Sequence, residues 1–385
     1  MKIGIIGALG LNGALVSAGL REGYRFVGFH DGESREKEQE LIAHLQKTID
    51  LLKKEYGVEV VVLTIHGGEP EDTALARGLV GLDIIIAGHT HQVYRQLRRE
   101  NGVFIAQAGF GGRNLGRLDF QYNGALKFIG DPSDVTIDIQ DSVPVDPEMM
   151  AKIETWEQGL DSYGGTLGYQ PDETIFYAKK PFLKNTQYGN MICSEILQGL
   201  HSWQLSEGRE PTAVYMSNLS LIRAGIQGEA EGVPYLFSDV FKILPLGFDK
   251  DLNPGSPVVH FYLSKSDLRK LINFSEFYHM VRPHYFPSWS NSLTYRVRGW
   301  GIPFINRVHD LQLKGKVYGS WPEIISVATS SYFASFIPKV KNISYGLVNI
   351  RFRDRDGNVI AKPEVLPGQR EFKLFAQAMK GKTLE

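Results

Sequence analysis

Residues 58–93, VEVVVLTIHGGEPEDTALARGLVGLDIIIAGHTHQV, decide the fold of this chain. The segments 58–65 and 83–87 are nearly continuous runs of apolar, largely β-branched residues, which is typical of strands covered on both faces of a sheet. Residues 75–79 lie between them and belong to a predicted helix. A strand, a helix and a second buried strand in this order predict a layered α/β domain.

The same alternation extends to both sides of this stretch. Residues 35–56 place apolar side chains at helical spacing and end at Gly57, which predicts a helix with one solvated face. Further strands are predicted over 2–7, 24–30, 103–106 and 118–122. We therefore assign residues 1–145 to an α/β domain, residues 146–164 to a bridging helix or linker, and residues 165–385 to a second domain in which helices alternate with Pro- and Gly-rich strand segments.

The composition excludes several classes of protein. With 43% hydrophobic and 22% charged residues among 385, the chain is neither disordered nor collagen-like. A formal net charge of -1 gives no general electrostatic attraction for nucleic acid, so we expect no nucleic-acid partner. No run of about 18 apolar residues is present, which predicts no membrane span. The single cysteine, Cys193, rules out an internal disulfide and any cysteine-rich metal site.

Three histidines directly follow the two central strands. His66 comes after the first strand, and His89 and His91 come after the second. Because ligands of open α/β sheets bind beyond the carboxyl ends of strands, we expect the three imidazoles to converge there. Neutral imidazole is a good ligand for Zn, Mn or Co, whereas a lone histidine at a strand end would be an ordinary hydrogen-bonded turn residue. The sequence therefore predicts a divalent metal site at these three positions.

Carboxylates follow the first of these histidines. Glu69, Glu71 and Asp72 stand at the predicted start of a helix, where negative charge is favourable. We expect them to form a solvated helix start, although one of them could add an oxygen ligand to the metal.

Several segments resemble one family. LTIHGG (63–68) and DIIIAGHTHQ (83–92) resemble the second half of the calcineurin-like metallophosphoesterase domain, and more narrowly the 5′-nucleotidase and UDP-sugar hydrolase group. Three later segments also resemble sequences of this group: YGNMICSEIL (188–197), SNLSLIRAGI (217–226) and ILPLGF (243–248). The resemblance covers nearly the whole chain. It implies an incomplete four-layer metallophosphoesterase β-sandwich, followed by an α+β 5′-nucleotidase C-terminal domain, and hydrolysis of nucleotide-like phosphomonoesters.

The resemblance also implies a two-metal site that activates water, which this chain carries only in part. The family's early Asp-x-His, bridging Asp and Gly-Asn-His motifs have no counterpart here, so the catalytic residue is unknown. Neutral imidazoles cannot offset the repulsion between two divalent ions, so we expect at most one ion and little activity. A sheet left uncovered by missing strands would favour self-association, or a missing N-terminal half as partner.

Four further residues match the family's substrate-binding positions. Asn218 and Arg223 match its nucleotide-contacting motif, Tyr332 one of its two base-stacking aromatics, and Lys184 its arginine cluster. Leu246 stands where the second aromatic would be. Because lysine holds a phosphate only as a point charge, a phosphorylated or sulfur-containing substrate other than a purine nucleotide stays open.

Two other functions remain open. Gly7, Gly10 and Gly13 follow a predicted strand with Asp31 further on, which resembles an NAD(P)-binding turn. The chain could also be a non-catalytic nucleotide- or ligand-binding relic. Its location is unknown: family members are commonly periplasmic or on the cell surface, but glycines interrupt the only stretch that resembles a signal peptide.

Overall fold

The computed structural model describes residues 1–10, 35–140, 142–251, 253–281, 285–299 and 306–385. The chain divides into two compact units, Met1–Asp146 and Pro147–Glu385. The strand predicted over 24–30 lies outside the described residues. No helix in the described ranges combines the length and the apolar character needed to cross a membrane.

The first unit has an α/β sheet at its centre. Its described elements are β1 (Ile3–Leu9), α1 (Arg35–Tyr56), β2 (Val60–His66), α2 (Glu69–Gly78), β3 (Ile84–Ala87), β4 (Arg98–Glu100), β5 (Val103–Ala106), β6 (Asn114–Gly116), β7 (Phe120–Tyr122), β8 (Leu126–Phe128) and β9 (Thr136–Asp138). The main sheet has the order β1-β2-β3-β5-β4, and only β4 runs antiparallel to its neighbour. The helix α1 and the strands β2 and β3 are those predicted from the sequence.

One face of this sheet is covered and the other is more open. Leu41, Leu45 and Ile49, spaced four residues apart on α1, are buried against the covered face together with Leu63 and Ile85. On the edge strand β1, the side chains alternate, which leaves Ile3 and Ile5 52% and 71% exposed. Self-association through this open apolar face stays a prediction, which size-exclusion chromatography tests.

The second unit mixes helices with three sheets. Its described elements are α3 (Pro147–Leu167), β10 (Thr174–Ala178), α4 (Thr186–Ser206), β11 (Val214–Asn218), β12 (Val233–Leu236), α5 (Phe237–Ile243), β13 (Pro257–Ser264), α6 (Lys265–Val281), β14 (Pro287–Trp289), β15 (Leu293–Val297), β16 (Val308–Leu313), β17 (Lys316–Val317), β18 (Ile324–Ser330), α7 (Ser331–Ala334), α8 (Val340–Ile343), β19 (Glu364–Arg370), α9 (Glu371–Met379) and β20 (Thr383–Leu384). The largest sheet has the order β14-β11-β18-β13-β19.

Both faces of this sheet are packed. On β11, Tyr215 joins one buried cluster, and its neighbours Val214 and Met216 join another. The first cluster includes the contact between α4 and α9. There the helices approach so closely that a Cβ at Gly199 would lie 2.1 Å from the carbonyl oxygen of Leu374. Glycine is therefore required at this crossing, and the predicted α+β character is present in this unit.

Candidate functional site

His66 and His89 meet at the carboxyl end of the first unit's sheet. His66 ends β2, and His89 follows β3, its parallel neighbour. The Nδ1 atom of His89 lies 3.2 Å from the Nε2 atom of His66, and the rings are edge-on with centroids 4.9 Å apart. In the metal-free protein this distance suits a hydrogen bond from one ring nitrogen to the other.

The same distance fits two ligands of one ion. With metal–nitrogen bonds of about 2.05 Å, two nitrogens at this separation subtend an angle of about 100° at the ion, between octahedral and tetrahedral geometry. His66 is exposed and His89 is partly exposed, so an ion could reach both rings from solvent. The pair supplies two neutral donors, which is half of a four-coordinate set.

His91, the third predicted ligand, makes a different contact. Its ring stacks on Phe110 with centroids 4.8 Å apart and an interplanar angle of 20°, and Arg113 lies over the same Phe110 ring. Among the residues that the structure describes, no three His, Cys, Asp or Glu side chains are grouped so as to hold a metal ion. The structure thus joins two of the three predicted ligands.

The loop that carries these histidines has an unusual backbone. His89 and His91 have φ angles of 75° and 57°, in the left-handed region that disfavours side chains larger than glycine. Gln107, which follows β5, accepts two hydrogen bonds at its Oε1 atom. One comes from the Thr90 hydroxyl at 3.0 Å and the other from the backbone N–H of Gln92 at 2.8 Å. Gln107 was not among the residues predicted from the sequence to belong to the site. Its position after the next strand of the same sheet was the available signal.

The carboxylates after His66 are not the solvated helix start that the sequence indicated. Glu71 and Asp72 are only 9% and 1% exposed. Burial, and secondarily the negative charge of Glu71, raises the pKa of Asp72 to about 7. Glu69 instead accepts a hydrogen bond from Arg98 at 2.5 Å. The helix start is buried because the end of β1 packs over it.

That packing argues against an NAD(P) site at the glycine turn. A Cβ at Gly10 would lie 2.3 Å from Oε2 of Glu71 and 2.5 Å from the Cα of Gly67, so this glycine permits a close contact with a carboxylate. A negatively charged pyrophosphate would be repelled from that position. Gly13 and Asp31, the other parts of this interpretation, lie outside the described residues.

In the second unit, Asn218 and Tyr332 stand at the carboxyl ends of two neighbouring parallel strands of the main sheet. Asn218 ends β11, and Tyr332 stands just beyond β18, which runs parallel to β11. The Asn218 side-chain oxygen accepts a hydrogen bond from the Ser220 amide at 2.9 Å, which fixes the following turn. Burial, and next the nearby Tyr285, raises the pKa of Tyr332, whereas Arg223 opposes this shift. Arg223 is therefore close enough to affect Tyr332 electrostatically.

Lys184 and Arg223 form a pair of neighbouring cations. Lys184 is an exposed residue whose ammonium group is nonetheless partly enclosed, and this burial and then the charge of Arg223 lower its pKa. Arg223 is the charged group that shifts the Lys184 pKa, and no carboxylate contributes to that shift within the described parts of the chain. Two uncompensated cations beside an aromatic ring are suited to an anionic ligand.

The chain is similar in sequence to known nucleotide phosphoesterases. No established family profile matches the chain. The chain is 25% identical over 210 residues to the trifunctional nucleotide phosphoesterase protein YfkN of Bacillus subtilis, covering 52% of this chain and 14% of that protein. It is 24% identical over 244 residues to the 5′-nucleotidase of Bos taurus, covering 55% of this chain and 40% of that protein.

A solved structure shows the same fold. The 5′-nucleotidase precursor from Thermus thermophilus superposes with a TM-score of 0.60 at 20% identity, over 89% of this chain and 65% of that chain. This likeness confirms the fold class predicted from the sequence. The chain thus spans less than half the length of the two curated relatives described here. In sequence it is similar to 5′-nucleotidases and related nucleotide phosphoesterases, and it has the fold of that family.

Proposed function

We propose that this chain forms part of a metal-dependent phosphoesterase that hydrolyses nucleotide-like phosphomonoesters. The observation that carries the proposal is the 3.2 Å separation of the His66 and His89 ring nitrogens at the sheet edge. The similarity to nucleotide phosphoesterases supports the reaction class. The particular substrate stays open.

Nε2 of His66 and Nδ1 of His89 would hold one divalent ion of the Zn, Mn or Co type. Such an ion supplies a Lewis acid and a bound water of lowered pKa. The contribution of the two imidazoles would be to fix where the ion lies, because each offers one ring nitrogen to it. With only two nitrogen donors from this pair, we expect one ion that is held weakly.

The cationic pair in the second unit would bind the anionic group of the substrate. Lys184 and Arg223 supply positive charge, and Tyr332 supplies an aromatic face for a planar group. Asn218 stands at the same sheet edge and would donate from its side-chain amide. Because Leu246 replaces the second aromatic, we expect a weaker preference for purines than two stacking rings would give.

Metal titration tests the first part of the proposal. Isothermal titration with Co²⁺ should show one site, and His89→Ala should lower the affinity by about 10-fold or more. His44→Ala is the matched control, because His44 is an exposed histidine on α1 of the same unit. Equal Co²⁺ affinity in His89→Ala and the unaltered protein would refute the assignment.

Phosphate release from nucleoside monophosphates tests the second part. Arg223→Ala and Lys184→Ala should raise KM by about 10-fold each, since each removes a charged contact to the substrate. Lys341→Ala, an exposed lysine of the same unit, should leave KM unchanged. If instead the chain binds a nucleotide with no turnover under any metal, the non-catalytic binding protein becomes the better description.

A further inference from the structure

The segment after β5 supports the histidine loop. We propose that Gln107 is a positioning residue, which sets the separation of the two ring nitrogens by holding the loop 88–92, in which His89 and His91 have positive φ angles. The inference rests on the proposed metal-dependent function, because the loop it fixes carries His89.

The hydrogen bonds show how Gln107 would do this. Its Oε1 atom accepts hydrogen bonds from the Thr90 hydroxyl and from the backbone N–H of Gln92, so one oxygen holds the centre and the end of the loop together. The backbone adds two further contacts: the Tyr94 amide donates to the Gln107 carbonyl, and the Gly109 amide to the Gln92 carbonyl, both at 2.9 Å.

The backbone needs this support because it is strained. A residue other than glycine with positive φ costs about 1–2 kcal/mol, and the loop contains two such residues, His89 and His91. The backbone would relax to a commoner conformation if the acceptor that holds it were removed. His89 would then move relative to His66, which stands on the rigid strand β2.

Burial makes the Gln107 side chain a firm anchor. The residue is only 4% exposed, so its side chain is held in place by the surrounding protein. Its Nε2 atom is buried and has no hydrogen-bond partner within the described part of the chain. Most buried side-chain amides are fully hydrogen-bonded, so the two bonds to the Gln107 oxygen are the polar contacts through which this side chain acts.

Gln107→Leu removes the acceptor while nearly conserving volume. We expect the Co²⁺ dissociation constant to rise by about 10-fold or more, the usual effect of removing a group that orients a metal ligand. Gln204→Leu is the matched control: Gln204 is 2% exposed and bonds Thr212 through both side-chain atoms, but in the second unit. It should cost comparable stability and leave Co²⁺ affinity unchanged. Equal loss in both variants would overturn the proposal.

Substitutions at Thr90 change the same hydrogen bond with a smaller alteration of the protein. Thr90→Val removes one of the two hydrogen bonds to Gln107 and should weaken Co²⁺ binding by about 3-fold, whereas Thr90→Ser keeps the hydroxyl and should restore it. In the Gln107→Leu background, Thr90→Val should have no further effect. Additive losses would contradict a shared contact, even if Gln107→Leu alone folds poorly.

A metal-free measurement separates this inference from the proposed function. Nuclear Overhauser contacts between the His66 and His89 ring protons should be present in the unaltered protein and absent in Gln107→Leu. If the unaltered protein binds no Co²⁺ but shows this pattern, the metal proposal fails and the positioning role stands. Retention of the ring contacts in Gln107→Leu would refute the positioning role whatever the metal result.

Discussion

Glu371 should make the stability of the second unit fall as the pH rises through neutrality. The residue starts α9, is 5% exposed and accepts a hydrogen bond from the Tyr215 hydroxyl at 2.8 Å. Burial raises its pKa to about 7 from the ordinary 4.5, against the opposing effect of hydrogen bonds from Tyr215 and Ser330. The folded protein therefore holds this proton more tightly than the unfolded chain does.

The sign and size follow from proton linkage. Below pH 4.5 both states are protonated and the group contributes no penalty. As pH rises toward 7, the unfolded chain loses the proton first, so the free energy of unfolding falls. A shift of about 2.5 units at 1.36 kcal/mol per unit gives about 3 kcal/mol lost by about pH 8.5. Glu371→Gln keeps an acceptor for Tyr215 but cannot titrate, so it should lack this loss.

Urea unfolding followed by tryptophan fluorescence measures the effect in the second unit alone, because all five tryptophans lie between residues 156 and 321. The advantage of Glu371→Gln over the unaltered protein should grow by about 3 kcal/mol between about pH 4.5 and 8.5. Glu157→Gln, at an exposed site on α3, should show no such growth. A difference between Glu371→Gln and the unaltered protein that is the same at both pH values would show that Glu371 is not held protonated by burial.

Three further outcomes are expected from packing. Gly10→Ala should destabilise the first unit by about 2 kcal/mol in circular-dichroism melts. Gly7→Ala should destabilise it far less, because the atom nearest to a Cβ at Gly7 is 3.8 Å away. Equal effects of the two substitutions would contradict the close contact at the end of β1. Gly199→Ala should lower the free energy of unfolding by about 3 kcal/mol or prevent folding. Gly159→Ala, with open space around its Cβ, should be neutral or stabilise α3. A tolerated Gly199→Ala would mean that α4 and α9 can separate. Cys193 is fully buried and its pKa is raised by that burial, so thiol labelling should proceed only at the rate of unfolding, and rapid labelling of the native protein would be inconsistent with this core.

Local patterns were sufficient to predict the central strands and the first helix. The β-branched runs became β2 and β3, and the helical spacing of 35–56 became α1, because periodic burial is written in neighbouring residues. The meeting of His66 and His89 was also predictable. Parallel strands that are neighbours in a sheet end at the same edge, so residues just beyond them approach each other.

Other features depended on parts of the chain far apart in sequence. The three imidazoles were expected to converge, but His89 and His91 both adopt positive φ, and His91 stacks on Phe110. Likewise, Glu71 and Asp72 were expected to be solvated, but both are buried, and the end of β1 packs closely against Glu71.

The sequence by itself determined the α/β succession, the fold family and the strand ends at which chemistry can occur, because these depend on local periodicity and short motifs. Only the folded chain brings the interacting side chains together: His89 lies against His66, Gln107 bonds to the histidine loop, and Arg223 is near enough to lower the pKa of Lys184. The physical reason is that burial, strain and electrostatic coupling arise between segments that only the folded chain brings together.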